Sequence, residues 1–95
     1  MDIQKTAVEA FIAGHGTIGT AAARAGIAQR CVKGVTIKAD LANANNVYVG
    51  HDLNVSSTNG FVLDAGEDVF IEIDSLDKVW VIGGAADQGY SFVAI

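Results

Sequence analysis

The stretch "GHGTIG" carries the sharpest chemical pattern in this chain. Gly14, Gly16 and Gly19 follow an apolar run, and Asp40 stands about twenty residues further on. In a dinucleotide-binding unit such glycines allow a tight turn and close approach to a pyrophosphate, while the later acid binds a ribose hydroxyl. That unit needs a helix after the motif, and Gly26 interrupts the segment that would form it. Nothing downstream supplies the helices that cover a parallel sheet. Asp40 also follows a strictly alternating run that suits a half-exposed antiparallel strand. The motif is therefore expected to be a flexible or extended segment, with no cofactor bound.

Metal chemistry has four candidate ligands, His15, Cys31, His51 and Asp52. No pair among them shows the short repeated spacing of zinc sites, and His51 beside Asp52 reads as a turn after "VYVG". Asp64, Glu67 and Asp68 bracket Gly66 but lack the alternating ligand pattern of a calcium loop, so they read as a solvated hairpin tip. No serine sits in a nucleophile elbow, and neither histidine has a recognisable nucleophile arrangement around it. "NVS" at Asn54 matches a glycosylation acceptor formally and reads as a polar strand edge. The expectation is a protein with no catalytic set, no metal and no cofactor, hence not an enzyme.

The elements that must position these residues are short. From Gly34 onward, turn chemistry recurs as "NANN", "SSTNG", "DAGED", "DSLD" and "GGAADQG". Runs of strand length lie between them: "VTIKADL", "NVYVG", "GFVL", "DVFIEID", "KVWVIG" and "YSFVAI". In the first of these Val35, Ile37, Ala39 and Leu41 are expected inward, with Thr36, Lys38 and Asp40 outward. The pattern predicts an all-β fold, a small antiparallel β-sandwich or jelly-roll-like barrel. Residues 1–33 are expected to form a glycine- and alanine-rich arm or first strands, and residues 34–95 the sandwich core of a single domain. Within that first third, "IQKTAVEAFIAG" fits helix and strand periodicity equally, and "TIGTAAARAGIAQRCV" is expected to be extended with a loop.

Composition narrows the partners. Of the 95 residues 51% are hydrophobic and 18% charged, the latter below the roughly 25% of ordinary soluble domains. The surface must be unusually apolar or partly covered. A net charge of −5 without a basic cluster disfavours nucleic acid. No apolar run approaches the ~20 residues needed to span a bilayer, which disfavours a membrane partner. With Asp2 and Glu9 near its start, the chain is expected to be made in the cytoplasm without a signal peptide. A single cysteine, Cys31, excludes an internal disulfide.

The final strands raise the question of what covers a second apolar face. In "KVWVIGG", Val79 and Val81 point one way and Trp80 and Ile82 the other; "YSFVAI" is apolar on both faces with Ser91 the one polar exception. In a sandwich only one face of each sheet meets the core. Phe70, Trp80, Ile82, Tyr90 and Phe92 are therefore the candidate interface residues, with Tyr48 beside them. The face is covered either by the N-terminal segment folding over it or by another subunit.

The segments "GVTIKADLANANNVYVGHD" and "NGFVLDAGEDVFIEIDSLDKVWVIGGAADQGYSFVAI" resemble the small β-sandwich proteins encoded among the virion-structure genes of tailed bacteriophages. The resemblance covers Gly34 to Ile95. It implies a capsid decoration (cement) protein, made in the host cytoplasm and located on the virion surface. Such a protein binds the major capsid protein of the outer shell as a homo-oligomer, with a trimer the natural number for shells with local threefold positions. A tail or fibre component is the alternative within the same resemblance. Rivals of another class are a nucleotide-binding module through "GHGTIG" and a carbohydrate-binding sandwich with Trp80 or Tyr90 as its stacking platform.

Overall fold

A computed structural model describes residues 11–95. Eight strands build it: β1 (Ile12–Ile18), β2 (Ala23–Arg24), β3 (Val35–Ala39), β4 (Val47–Gly50), β5 (Phe61–Leu63), β6 (Asp68–Ile71), β7 (Trp80–Gly83) and β8 (Gln88–Ala94). They form two four-stranded antiparallel sheets, one in the order β1-β8-β3-β6 (sheet A) and the other β2-β7-β4-β5 (sheet B). The sheets pack as a sandwich that does not close into a barrel. The strand order is that of a double-sheet jelly roll, with β1 pairing β8, β2 pairing β7, β3 pairing β6 and β4 pairing β5.

Alternation decides which side chains fill the space between the sheets. Val35, Ile37 and Ala39 of β3 are buried while Lys38 is exposed, as a pleated strand with one wet face requires. Val47 and Val49 of β4, Val79 and Val81 at β7, and Tyr90 and Ala94 of β8 complete the same layer. Leu41 departs from the expected alternation: β3 ends at Ala39, and Leu41 stands in the following turn, 82% exposed. Asp40 stops the strand there. Its backbone N–H donates to the Gly89 carbonyl at 3.0 Å, and its carbonyl accepts from the Asn43 N–H at 3.1 Å. A short 3-10 helix, Leu76–Lys78, drops the fully buried Leu76 into the core from what the sequence presents only as the polar turn "DSLD".

The turn "DAGED" is not a hairpin tip. It carries the chain from β5 in sheet B to β6 in sheet A. Gly66 takes a left-handed φ of 84° and the Glu67 N–H donates to the Asp64 carbonyl at 2.9 Å, a turn in which glycine is the residue that fits. The Glu67 carboxylate accepts from the Asp64 N–H at 2.8 Å, so this acid closes its own turn.

The segment "GHGTIG" lies in strand β1 and its end, paired residue for residue with β8 from Ile12↔Ala94 to Ile18↔Gln88. The first ten residues of the expected N-terminal arm lie outside the described residues. Among the described residues, Ile12–Ile18 is an edge strand of sheet A. It extends that sheet in its own plane and does not fold over the outer face of sheet B.

Candidate functional site

Two of the glycines of "GHGTIG", Gly14 and Gly16, face inward, toward aromatic rings. Gly14 is opposite Phe92 and Gly16 opposite Tyr90. A Cβ at Gly16 would lie 2.7 Å from Tyr90 Cζ and Oη, and one at Gly14 would run into the Phe92 ring. The rings fold across β1 where side chains are missing, so the motif is a packing device and not a phosphate cradle. Tyr90 Oη donates to the Ala25 carbonyl at 2.8 Å, which anchors the β2–β3 connection, and burial pushes its phenol pKa up. Asp40 meets His15, not a ribose: His15 Nε2 is 2.6 Å from Asp40 Oδ2 across the outer side of sheet A.

The remaining candidate ligands are dispersed. Cys31 lies in the β2–β3 loop, where its Sγ donates to the Ile73 carbonyl at 3.2 Å. Burial, with the Asp74 charge second, raises its thiol pKa. His51 Nε2 sits 3.3 Å from Asp52 Oδ2 at the end of β4. Among the described residues no three His, Cys, Asp or Glu side chains are grouped as metal ligands. Asn54 belongs to a self-wired loop and not to a strand edge. The Asn54 N–H donates to Asp52 Oδ1 at 2.9 Å, and Asn59 Nδ2 donates to the Asn54 carbonyl at 3.1 Å.

The five candidate interface residues do not share one surface. Tyr90 is a core residue and Phe92 packs against the core from the inner side of sheet A. Tyr90 is therefore withdrawn from any exposed patch or stacking platform. Phe70 is exposed on the outer face of sheet A, in a cross-strand row with Thr36, Val93 and Ala13. Trp80 and Ile82 are half-buried on the outer face of sheet B, the opposite side of the molecule. There Ile82, Tyr48 and Val62 form one cross-strand row, and Arg24, Trp80 and Gly50 the next.

Two neighbours already cover part of that second face. The Arg24 guanidinium lies 5.0 Å from the Trp80 ring centroid, a cation–π contact, and its Nη1 also reaches Asp77 Oδ2 at 3.2 Å. The β4–β5 loop folds back so that Val55 fills the space above Gly50, where a Cβ would collide with it. Val55 is 5% exposed yet lies outside the main core cluster, which marks it as the plug of a small second core. Sequence inspection misses this residue, because in "NVSSTNG" Val55 is a lone apolar side chain in a polar turn.

Strand directions define the two ends of the sandwich. Loops 19–22, 40–46, 64–67 and 84–87 gather at one end, and loops 25–34, 51–60 and 72–79 with both ends of the described chain gather at the other. Among the described residues, the first end carries Asp40, Asp64, Glu67, Asp68 and Asp87 against Lys38 alone. At the second, Arg24, Arg30, Lys33 and Lys78 balance Asp52, Glu72, Asp74 and Asp77. Lys78 Nζ donates to Asp74 Oδ1 at 2.8 Å, which lowers the Asp74 pKa and raises that of Lys78. Among the described residues, only Leu41 and Val62 of the exposed large apolar side chains lie away from this balanced end; Phe11, Ile12, Ile27, Val32, Leu53, Phe61, Phe70 and Val93 lie at or near it. One end is acidic and the other apolar.

No protein-family model and no curated protein sequence matches the chain.

Proposed function

We propose that this chain is a non-catalytic structural protein of a tailed-bacteriophage virion, a capsid decoration protein that binds the outer shell as a homo-oligomer and reinforces it. The observation that carries this proposal is the segregation of exposed apolar side chains to one end of a jelly roll whose other end is acidic. Exposed apolar side chains gathered in this way favour association, and their concentration at one end suits a protein that seats on a larger surface and points its charge to solvent. The motif resemblance from Gly34 to Ile95 supplies the identity of that surface, and the sandwich agrees with the fold the resemblance implies. The rivals lose their main supports. Gly14 and Gly16 lie under aromatic rings, Tyr90 is buried, and Arg24 occupies a face of Trp80.

The test is to add purified protein to phage particles assembled without it and locate the added density by cryo-electron microscopy. Saturable occupancy of symmetry-related positions on the head is the expected result. Density confined to the tail would assign a tail or fibre role, and no binding to either would refute a virion role.

A further inference from the structure

We propose that β1 of one copy pairs with β6 of a second copy, joining sheet A of the two molecules through the groove beside β6. The proposal rests on the reading above only in taking the protein to act as an oligomer.

Sheet A ends in two edges that, among the described residues, pair on one side only: β1 with β8, and β6 with β3. The two edges differ in shape. Beside β6 the sandwich is open, because β5 and β6 are only three and four residues long. A groove of about 380 Å³ enters there between the sheets, its apolar lining Val49, Phe61, Val69, Ile71, Ile73 and Val79 and its polar lining His51, Asn59 and Lys78. Phe61 has the inward position of its strand, opposite Val49, yet is 58% exposed. Beside β1, Ile12 has an inward position and stands 39% exposed at the rim. One edge offers an apolar knob and the other an apolar recess.

Polarity and register fit. β1 and β6 run in opposite directions at opposite edges of an antiparallel sheet, so a second copy placed alongside continues the antiparallel order. Within one copy the ladder rows are Ile12–Ala94–Val35–Ile71, Ala13–Val93–Thr36–Phe70, Gly14–Phe92–Ile37–Val69 and His15–Ser91–Lys38–Asp68. Continuing each row without a shift sets Ile12 against Ile71 of the second copy at the mouth of the groove. It also sets Ala13 against Phe70 and Gly14 against Val69, a small residue against a large one in each case. His15, exposed on the outer side, then meets the exposed carboxylate of Asp68, so the polar row is complementary as well. The contact is heterologous, and it closes into a ring or runs on as a filament according to its rotation per copy.

A cross-link reads this contact directly. Ile12 and Ile71 of one chain are three strand intervals apart, about 14 Å, beyond the roughly 7 Å that a disulfide spans. In a Cys31→Ser background, the double variant Ile12→Cys/Ile71→Cys should therefore oxidise between copies and give a ladder on a non-reducing gel that stops at the ring size. Separately, Ile12→Glu puts a charge at the groove mouth and should weaken association on the order of a hundredfold by sedimentation, with the circular dichroism of the monomer unchanged. Absence of the ladder from the double-cysteine variant, when the wild type does self-associate, overturns the contact, as does dissociation by Trp80→Asp but not by Ile12→Glu. A wild type that stays monomeric at high concentration overturns it too. Particle binding by the same preparations decides independently whether the virion role stands.

Discussion

At the scale of single residues, glycine marks where a neighbour needs space. Gly16 illustrates the difference between a motif and its environment: taken as a flexible loop it should tolerate alanine, whereas under the Tyr90 ring it cannot. Gly16→Ala should destabilise the fold by about 1–3 kcal/mol, the usual cost of overpacking, and lower the midpoint of thermal unfolding; an unchanged midpoint would remove the ring-over-glycine account. Tyr90→Phe keeps the ring but strips the hydroxyl from the Ala25 carbonyl, with an expected loss of about 1–2 kcal/mol in denaturant unfolding. Burial raises the Tyr90 phenol above its ordinary value of 10.0. Its contribution to stability is therefore present below about pH 10 and is lost as the pH rises through the higher folded-state value. The wild type should show an alkaline unfolding limb, followed by phenolate absorbance, that is weakened in Tyr90→Phe.

At the scale of elements, the outer face of sheet B depends on a loop. Val55 is held over Gly50 by a chain of local bonds: the Val55 N–H donates to the Asp52 carbonyl at 3.2 Å, the Ser56 N–H to Asn59 Oδ1 at 2.8 Å, and the Gly60 N–H to the Ser56 carbonyl at 2.8 Å. Val55→Ala removes two buried methyl groups and should cost about 1.5 kcal/mol at ~0.8 kcal/mol per buried carbon. Hydrogen exchange should report faster exchange in residues 51–60 than in β3. Uniform loss of protection would mean that Val55 belongs to the main core. The elements legible in the sequence were those whose burial is decided by alternation, above all β3, β4 and β7. The less legible ones depend on long-range packing. "GHGTIG" forms a strand because Tyr90 and Phe92 lie over it, and "DSLD" buries Leu76 because the 3-10 turn places it beneath Gly26. For the candidate surface, Trp80 and Ile82 were legible as off-phase residues, while the exclusion of Tyr90 required knowing that its hydroxyl reaches Ala25, 65 residues away.

At the scale of the whole molecule, polarity between the two ends implies an orientation. Five carboxylates facing one lysine repel a second acidic surface, whereas balanced charges around exposed apolar side chains allow dry contact. Ile27 and Val32, exposed at 73% and 78%, stand on the β2–β3 loop, where Val32 lines a surface recess with Phe70 and Ile73. Replacing both with glutamate should change stability by no more than about 0.5 kcal/mol each, since neither side chain is buried in the free protein. If the apolar end seats on the shell, the Ile27→Glu/Val32→Glu variant should lose particle occupancy while its thermal midpoint remains. Neutralising the other end with Asp64→Asn and Asp87→Asn should leave occupancy intact. The opposite outcome, with occupancy sensitive to the acidic end and indifferent to Ile27 and Val32, would turn the molecule over on its shell. Raising ionic strength separates the two orientations as well: contact through apolar side chains persists or strengthens in sulfate, whereas attachment through carboxylates weakens as screening shortens to about 3 Å at 1 M salt.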